Sequence, residues 1–200
     1  MPVVAPRVTA LTPAGSRGVA VEVDGRPWRV VPSEAAAAAG LAPGLELERP
    51  VLRSLRRELR RGEALAVAVG TLRHRDHTRA SLEERLAGRG VAPAVRAEAL
   101  DVLDRAGVVD DQRLAHDRAA LLAARGAGDL LIADDLTGRG VPEALVDAAV
   151  AALEPEDERA RHAVGRLGLT PKTLRRLAAK GFRPETLEPF VAELEDGAIP

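Results

Sequence analysis

The sequence predicts a mainly α-helical protein, in which tandem three-helix repeat modules form an elongated curved arc behind a small N-terminal module with a β-hairpin. Three observations lead to this fold class. Apolar residues make up 46% of the chain, and Ala and Leu, which favour helix, are prominent among them. A helix–glycine–helix pattern occurs three times, as in helical repeat proteins. In one stretch near the N-terminus, valines occupy alternate positions, as apolar residues do in β-strands.

The repeat is centred on Gly90, Gly140 and Gly181, whose spacing lies in the period range of helical repeat modules. Each glycine has a leucine four residues before it, a basic residue directly before it and an apolar residue directly after it. A proline follows within three residues, and a further leucine stands thirteen residues on. In chain order these positions are Leu86, Leu136 and Leu177; Arg89, Arg139 and Lys180; Val91, Val141 and Phe182; Pro93, Pro142 and Pro184; and Leu103, Leu153 and Leu194. We expect each glycine to end a middle helix and to lead into the last helix of a module.

Residues 1–48 predict the β-containing module. Residues 7–11 are a strand candidate, and residues 18–32 alternate around Asp24-Gly25, a pair that favours a type I′ hairpin turn. Pro27 lacks an N–H group and therefore indicates an edge strand. Ser33 is a suitable cap for a short Ala-rich helix that ends at Gly40.

Residues 49–62 predict a basic linking helix that starts near Pro50. Leu52, Leu55 and Leu59 form one stripe, and an arginine patch lies on the opposite face. The patch consists of Arg53, Arg56, Arg57 and Arg60. It is either an ordinary solvated helix face or a contact for phosphate groups or an acidic protein surface.

The remaining chain predicts three modules, at 63–107, 108–154 and 155–200. In the first, a helix with Leu65, Val69 and Leu72 on one face precedes a helix that starts at Thr78 or Ser81, since both residues are good caps. Asp110 and Asp111 open the second module and are better explained as an N-cap and a first-turn acid than as catalytic carboxylates.

Basic residues recur beside the module glycines. Arg89, Arg139 and Lys180 would each complement the dipole of the helix that they end, or they would contact a partner. Lys172, Arg175 and Arg176 share a helix face with Lys180. The candidate residues for binding a partner or DNA are Arg53, Arg56, Arg57, Arg60, Arg79, Arg89, Arg139, Lys172, Arg175, Arg176 and Lys180.

Composition and motifs argue against an enzyme. The chain has no Cys, so disulfides and thiolate metal sites are excluded. It contains no phosphate-binding glycine loop after a strand, and His74-x-x-His77 is only a weak metal pattern. We expect no catalytic residue, cofactor or metal. No signal peptide and no run of about 18 apolar residues is visible, so we expect a cytoplasmic protein without a membrane span.

Charge is unevenly distributed, although the net charge is −1. Residues 49–90 carry a net charge of +6 and residues 91–160 a net charge of −8. Clustered arginines favour nucleic acid, but the stacking aromatics of single-strand binders are nearly absent. A three-helix module also resembles a helix-turn-helix. A protein partner is therefore the first interpretation, and a stand-alone DNA-binding regulator is the alternative.

The chain resembles the RecX family, the bacterial regulators of the RecA recombinase. The resemblance rests on the pattern L-x-x-R-x-H-T-R-x-x-L-x-x-x-L-x-x-x-G-V from Leu72 to Val91 and on G-V-V-D-D-Q-R-L-A from Gly107 to Ala115. Gly128, Ile132, Leu136 and the R-G-V at Arg139 continue it. The K-G-F at Lys180 fits the C-terminal repeat of the family, and the hairpin at Asp24-Gly25 is similar to the extension of longer members.

This resemblance implies a non-enzymatic modulator. Such proteins lie along the groove of the filament that RecA forms on single-stranded DNA. They inhibit its ATP hydrolysis, strand exchange and coprotease activity in recombination and the SOS response. For this chain the resemblance implies a RecA filament as partner, weak contact with single- or double-stranded DNA, and a monomer in the cytoplasm.

Overall fold

The computed structural model describes residues 5–73 and 76–196. Within these ranges three strands precede ten helices, so the predicted class, mainly helical with a small N-terminal β module, is confirmed. The strands are β1 (Val8–Ala14), β2 (Gly18–Val23) and β3 (Arg26–Pro32). The helices are α1 (Ser33–Ala38), α2 (Arg49–Leu72), α3 (Arg79–Gly88), α4 (Pro93–Arg105), α5 (Asp111–Ala124), α6 (Asp129–Gly138), α7 (Glu143–Ala151), α8 (Glu156–Leu167), α9 (Pro171–Ala179) and α10 (Pro184–Asp196).

The chain divides into two compact units. The first consists of the described residues of Met1–His74 and Glu83–Arg105, and the second of those of Arg75–Leu82 and Ala106–Pro200. The division runs through α3, whose first residues belong to the second unit.

An antiparallel sheet in the order β1-β2-β3 opens the first unit. Val23 pairs with Arg26, which leaves Asp24 and Gly25 as a two-residue turn. Both turn residues have positive φ, 49° and 74°, as a type I′ turn requires. The predicted hairpin is confirmed, and Pro27 lies on the edge strand β3. One face of the sheet packs with α1 and the first half of α2 around Val8, Val21, Val31 and Leu55.

The long helix α2 corrects the prediction of two helices that meet near Gly62. The structure has a single helix over Arg49–Leu72. Leu55 is buried in its first half, and Ala64 and Ala68 are buried in its second half. Leu55 and Ala64 lie on opposite faces, because nine residues at about 100° each amount to two and a half turns. The second half packs on α4, so the predicted stripe through Val69 is not the buried face, and Val69 is exposed.

In the second unit, two groups of three helices have separate cores. Ala119, Ile132 and Leu136 are among the buried residues that join α5, α6 and α7. Phe182 and Leu187 lie in the core that joins α8, α9 and α10. Asp110 caps α5, since its carboxylate accepts the Arg113 N–H at 2.8 Å, as predicted. None of the helices in the described part of the chain is long and apolar enough to span a membrane.

Candidate partner-binding surfaces

The first candidate surface is the α2 basic surface, formed by Arg53, Arg56, Arg57 and Arg60. All four side chains are exposed, and their spacing places them on one face of the helix. Across residues 5–73 and 76–196, we find no hydrogen bond or ion pair from the side chains of Arg53, Arg56 and Arg60. Their charges are therefore available to a partner.

Arg57 differs from the other three because it pairs with Glu98 of α4. Its Nε and Nη2 atoms lie 3.1 Å and 2.5 Å from the two carboxylate oxygens. The hydrogen bond with Glu98 is the main reason why the pKa of the Arg57 guanidinium is raised above its ordinary value. The pair is exposed, so it contributes little to stability, but it leaves Arg57 less available to a partner than the other three arginines.

The second candidate surface is the α9 basic surface, formed by Lys172, Arg175 and Arg176, all exposed. Arg175 donates from Nε to the carbonyl of Pro171 at 3.2 Å within its own helix. Lys180, which was predicted to share this face, instead donates from Nζ to the carbonyl of Arg125 at 2.7 Å. Arg125 is the C-cap of α5, so Lys180 complements the dipole of that helix.

The α9 basic surface departs from the ordinary charge preference of a helix. Acids in the first turn are favourable because they face the positive end of the dipole. Helices α5, α6, α7 and α8 have such acids, whereas α2, α3, α4 and α9 have none. Lys172 even places a cation in the first turn of α9. The dipole of α9 therefore does not stabilise the charge of Lys172.

Arg89 lies beside Arg60 at an open groove in the first unit, which we call the Arg89 groove. Its volume is about 590 Å³, and it is lined by Arg60, Glu63, Ala64, Val67, Arg89, Gly90, Val91, Ala92 and Val95. The structure thus brings together two candidate residues that belong to different predicted modules. Neither arginine side chain has an ion-pair partner among the residues that the structure describes.

Arg139, in contrast, is engaged within the fold. Its Nε lies 2.7 Å from the carboxylate of Asp135, which also binds Arg118 at 2.7 Å. The hydrogen bond from Arg118 is the largest cause that lowers the pKa of Asp135 far below its ordinary value. Arg79 is partly buried and donates its backbone N–H to Asp111 at 2.9 Å. Within the second unit, Arg139 is thus engaged through its side chain and Arg79 through its backbone N–H.

The contact between Arg79 and Asp111 belongs to an arrangement that the sequence analysis did not predict, which we call a clamp. In a clamp, a glycine turn and an acidic side chain together hold the start of a middle helix that lies earlier in the chain. In the first clamp, the Thr78 hydroxyl at the start of α3 donates to the carbonyl of Arg139 at 2.6 Å. The Arg79 N–H donates to Asp111, and a Cβ at Gly140 would lie 2.8 Å from that of Ala80.

The second clamp holds the start of α6. The N–H groups of Gly128 and Leu130 donate to the carbonyls of Lys180 and Gly181 at 2.8 Å and 3.0 Å. The Asp129 N–H donates to the buried carboxylate of Glu156 at 2.6 Å. The other oxygen of Glu156 accepts from the Arg183 N–H and the Thr186 hydroxyl at 3.1 Å and 2.7 Å.

The Asp129 side chain within the second clamp binds Arg159 and lies 3.7 Å from Arg183. Burial and the nearby charge of Glu156 raise the pKa of Asp129 above its ordinary value. A sequence signal for the clamps exists, because Asp111 and Glu156 each stand near the start of their module, well before its glycine.

We find no group of three or more metal-ligating side chains close enough to hold an ion in residues 5–73 and 76–196. His74 of the weak H-x-x-H pattern lies outside the described residues. His77 is buried, and its Nδ1 is 2.9 Å from the hydroxyl of Ser81.

Comparison with known proteins places the chain among regulators. No protein-family model matches it. Regulatory protein RecX of Xanthomonas axonopodis pv. citri is 33% identical over 140 residues, which are 64% of this chain and 86% of that protein. Regulatory protein RecX of Mycolicibacterium vanbaalenii is 38% identical over 105 residues. That match covers 51% of this chain and only 56% of the mycobacterial relative.

Two solved structures share the fold. A crystal structure of regulatory protein RecX superposes with a TM-score of 0.77 and 17% identity, covering 94% of this chain and 99% of the other. RecX from Lactobacillus salivarius superposes with a TM-score of 0.57 and 17% identity, over 68% of this chain and 97% of the other.

Proposed function

Because the chain belongs to the RecX family of regulatory proteins, we propose that it binds the RecA filament on single-stranded DNA and lowers its activity. The activities concerned are ATP hydrolysis, strand exchange and the coprotease reaction of the SOS response. The protein acts by binding and not by catalysis, in the cytoplasm where the filament forms.

The observation that carries this proposal is the set of unpaired cations on α2 and α9. A filament of protein on DNA offers phosphates and acidic side chains, and both bind arginine through charge-assisted hydrogen bonds. Three arginines on α2 and three basic residues on α9 contribute little to the fold. They are therefore free to serve a charged partner without loss of stability.

Two separate basic surfaces on one chain also fit a repetitive partner. When one surface is bound, the other meets its target at a high effective concentration, so weak contacts combine into strong binding. A filament presents the same sites many times. A ligand with two such surfaces would bridge its subunits and oppose the conformational cycle that ATP hydrolysis drives.

Charge reversal tests the proposal. One variant carries Arg53→Glu, Arg56→Glu and Arg60→Glu, a second carries Lys172→Glu, Arg175→Glu and Arg176→Glu, and a third combines all six. We expect the combined variant to lose inhibition of RecA ATPase on poly(dT) while its helical circular-dichroism spectrum is unchanged. Arg17→Glu with Arg26→Glu, on the β module, is the matched control and should inhibit like the wild type. Unchanged inhibition by the combined variant would contradict the proposal.

The alternative, a stand-alone DNA-binding regulator, gives a different result in a gel-shift experiment. Tight binding to duplex or single-stranded DNA without RecA, with a steep salt dependence, would favour it. Binding that requires the RecA filament supports the function proposed here.

A further inference from the structure

The three module glycines form turns of the same geometry. Gly90, Gly140 and Gly181 have φ values of 74°, 76° and 81°. In each turn the N–H after the glycine donates to the carbonyl of the buried leucine, at 3.1 Å, 3.1 Å and 3.2 Å. This is the hydrogen bond of a Schellman motif. The three turns therefore present their carbonyl groups and their glycine surface in the same way.

Two of these turns are covered by the start of a helix. The turn at Gly140 holds α3, and the turn at Gly181 holds α6. In both, the carbonyl of the basic residue before the glycine accepts a hydrogen bond from the helix N-cap residue, at 2.6 Å and 2.8 Å. The glycines are needed for this approach, since a Cβ at Gly181 would lie 2.5 Å from the Leu131 nitrogen.

The third turn, at Gly90, is uncovered. A Cβ at Gly90 would meet no atom within 4 Å. Among the described residues, no donor is found for the carbonyl of Arg89 or for that of Gly90. Val91 is only half-buried, whereas Val141 and Phe182 in the equivalent positions are buried. The Arg89–Gly90–Val91 turn opens into the Arg89 groove.

The groove also contains the second part of a clamp. The sequence separation of Glu63 from Gly90 falls between that of Asp111 from Gly140 and that of Glu156 from Gly181. Glu63 is exposed, and its carboxylate has no partner within residues 5–73 and 76–196. It lines the groove together with Arg89 and Gly90. A glycine turn and an acid therefore face the same space, as they do in the two occupied clamps.

We propose that the Arg89 groove is an open clamp that binds the N-terminus of a helix in a protein partner. The helix has a glycine, serine or threonine as its N-cap and an acid in its first turn. Its N-cap donates to the Arg89 carbonyl, its next N–H donates to Glu63, and its backbone packs on Gly90. This inference rests on the proposed function, because it specifies how the chain contacts its protein partner.

The charges of the groove explain why the partner helix should carry an acid in its first turn. In the second clamp, the first-turn Asp129 is bound by Arg159 and lies near Arg183. Arg60 and Arg89 supply two comparable cations at the Arg89 groove. An acid at the start of the bound helix would also be stabilised by its own dipole.

A second copy of this chain is a poor occupant, although α9 has an uncovered start. Pro171 is the first residue of α9, as Arg79 and Asp129 are the first residues of α3 and α6. A proline has no backbone N–H to donate to Glu63. Lys172 would add a cation beside Arg60 and Arg89. The groove is therefore suited to a different protein.

Filament binding by the full chain tests this inference. We would measure affinity for RecA on poly(dT) with Gly90→Asn, which fills the turn surface while tolerating positive φ, and with Glu63→Lys. We expect each to weaken binding at least tenfold. The matched controls are Gly107→Asn, at a second glycine with positive φ and open space (65°), and Glu84→Lys, at a second exposed acid. Both should bind like the wild type.

A photo-crosslinker identifies the occupant. With p-benzoylphenylalanine in place of Ala92, which lines the groove, we expect cross-links to the first turn of a RecA helix. Cross-links to DNA, or to RecA loops and strands, would overturn the inference, as would undiminished binding by both Gly90→Asn and Glu63→Lys. If the wild type itself does not bind the filament, the proposed function fails and this inference fails with it. If only the groove variants bind normally, the proposed function survives.

Discussion

At Gly128 two parts of the second unit approach each other closely. A Cβ at this position would overlap backbone atoms of Gly181 and Phe182. Backbone atoms cannot move aside as a flexible side chain can, so the clash would break the contact between the start of α6 and the turn at Gly181. The absence of a side chain at Gly128 is therefore a requirement of the second clamp.

We predict that Gly128→Ala destabilises the protein by about 3 kcal/mol. Urea unfolding followed by circular dichroism measures the loss. Gly138→Ala, at the other end of α6, is the control, because its Cβ would meet open space. That change should stabilise by about 0.5 kcal/mol, since alanine favours helix. Equal effects of the two changes would show that the close approach at Gly128 does not matter.

Asp135 and Asp129 give opposite pH dependences at the residue scale. The pKa of Asp135 is lowered by Arg118 and Arg139. The stability that Asp135 contributes is therefore complete above the pKa that it has in the unfolded chain, and it is lost as pH falls through the lower pKa of the folded state. The pKa of Asp129 is raised by burial and Glu156. The folded state therefore gains stability from protonation of Asp129 as pH falls through its raised value.

We predict that Asp135→Asn destabilises by about 1–2 kcal/mol at pH 7 and that the difference from wild type shrinks below about pH 4. Relative to Asp129→Asn, in contrast, the wild type should gain stability over the same fall in pH. Urea midpoints at pH 7, 5, 4 and 3 would show the two trends. Parallel curves for the two variants would refute the assigned directions.

At the scale of elements, α2 is one helix with two buried faces. Its first half packs Leu55 against the sheet, and its second half packs Ala64 and Ala68 towards α4. Gly62 lies at the change of face and is helical, and a Cβ at this position would meet no atom within 4 Å. The fold therefore does not require the conformational freedom of glycine at this position.

We predict that Gly62→Ala raises the unfolding free energy by about 0.5–1 kcal/mol. Thermal or urea unfolding measures the change, and the α2 basic surface is untouched by it. A loss of stability instead would indicate that the chain needs a break at this position, as two separate helices would.

The start of α3 depends on the hydroxyl of Thr78, which is 2% exposed. It accepts the Ser81 N–H at 3.1 Å and donates to the Arg139 carbonyl at 2.6 Å. Thr170 caps α9 in the same way, through the Thr173 N–H at 3.1 Å. The second bond of the Thr170 hydroxyl is with the Thr173 hydroxyl at 3.0 Å, within its own helix, and no turn holds this helix start in the described part of the chain.

We predict that Thr78→Val costs about 2–3 kcal/mol, since it removes a cap and leaves a carbonyl unsatisfied. Thr170→Val removes a cap and the hydrogen bond with the Thr173 hydroxyl, but it leaves no carbonyl of a turn unsatisfied, and it should cost about 1 kcal/mol. The two substitutions have the same volume change, so a difference in urea unfolding isolates the bond to Arg139. No difference would mean that the first clamp adds nothing to stability.

At the scale of the whole molecule, a net charge of −1 conceals two basic surfaces. If both engage the filament, reversal of either surface alone should weaken binding moderately, and reversal of both should weaken it by more than the product of the two effects. Affinity of the wild type should also fall as salt rises from 50 to about 200 mM, because exposed charges are screened. Fluorescence anisotropy on labelled filaments would measure both. Salt-independent binding would remove the basic surfaces from the mechanism.

Much of the fold was predictable from the sequence because its signals are local. The hairpin at Asp24-Gly25, the N-cap at Asp110 and the glycine turns each depend on residues within one turn of the chain. The prediction was wrong at Gly62, where the apolar stripe changes face because different neighbours cover the two halves of α2. A change of stripe looks like a change of helix when the neighbours are unknown.

The candidate binding residues show the same division between local signals, which the sequence carries, and contacts between elements, which it does not. The sequence by itself determined that Arg53, Arg56 and Arg60 share a face and that Lys172, Arg175 and Arg176 share another, because helical periodicity decides both. Tertiary structure alone decided that Arg57 pairs with Glu98, that Asp135 joins Arg139 to Arg118, and that Lys180 caps α5. It alone also joined Glu63 to the turn at Gly90. Each of these arrangements links different helices or separated turns, and their partners are set by packing, which local sequence does not encode.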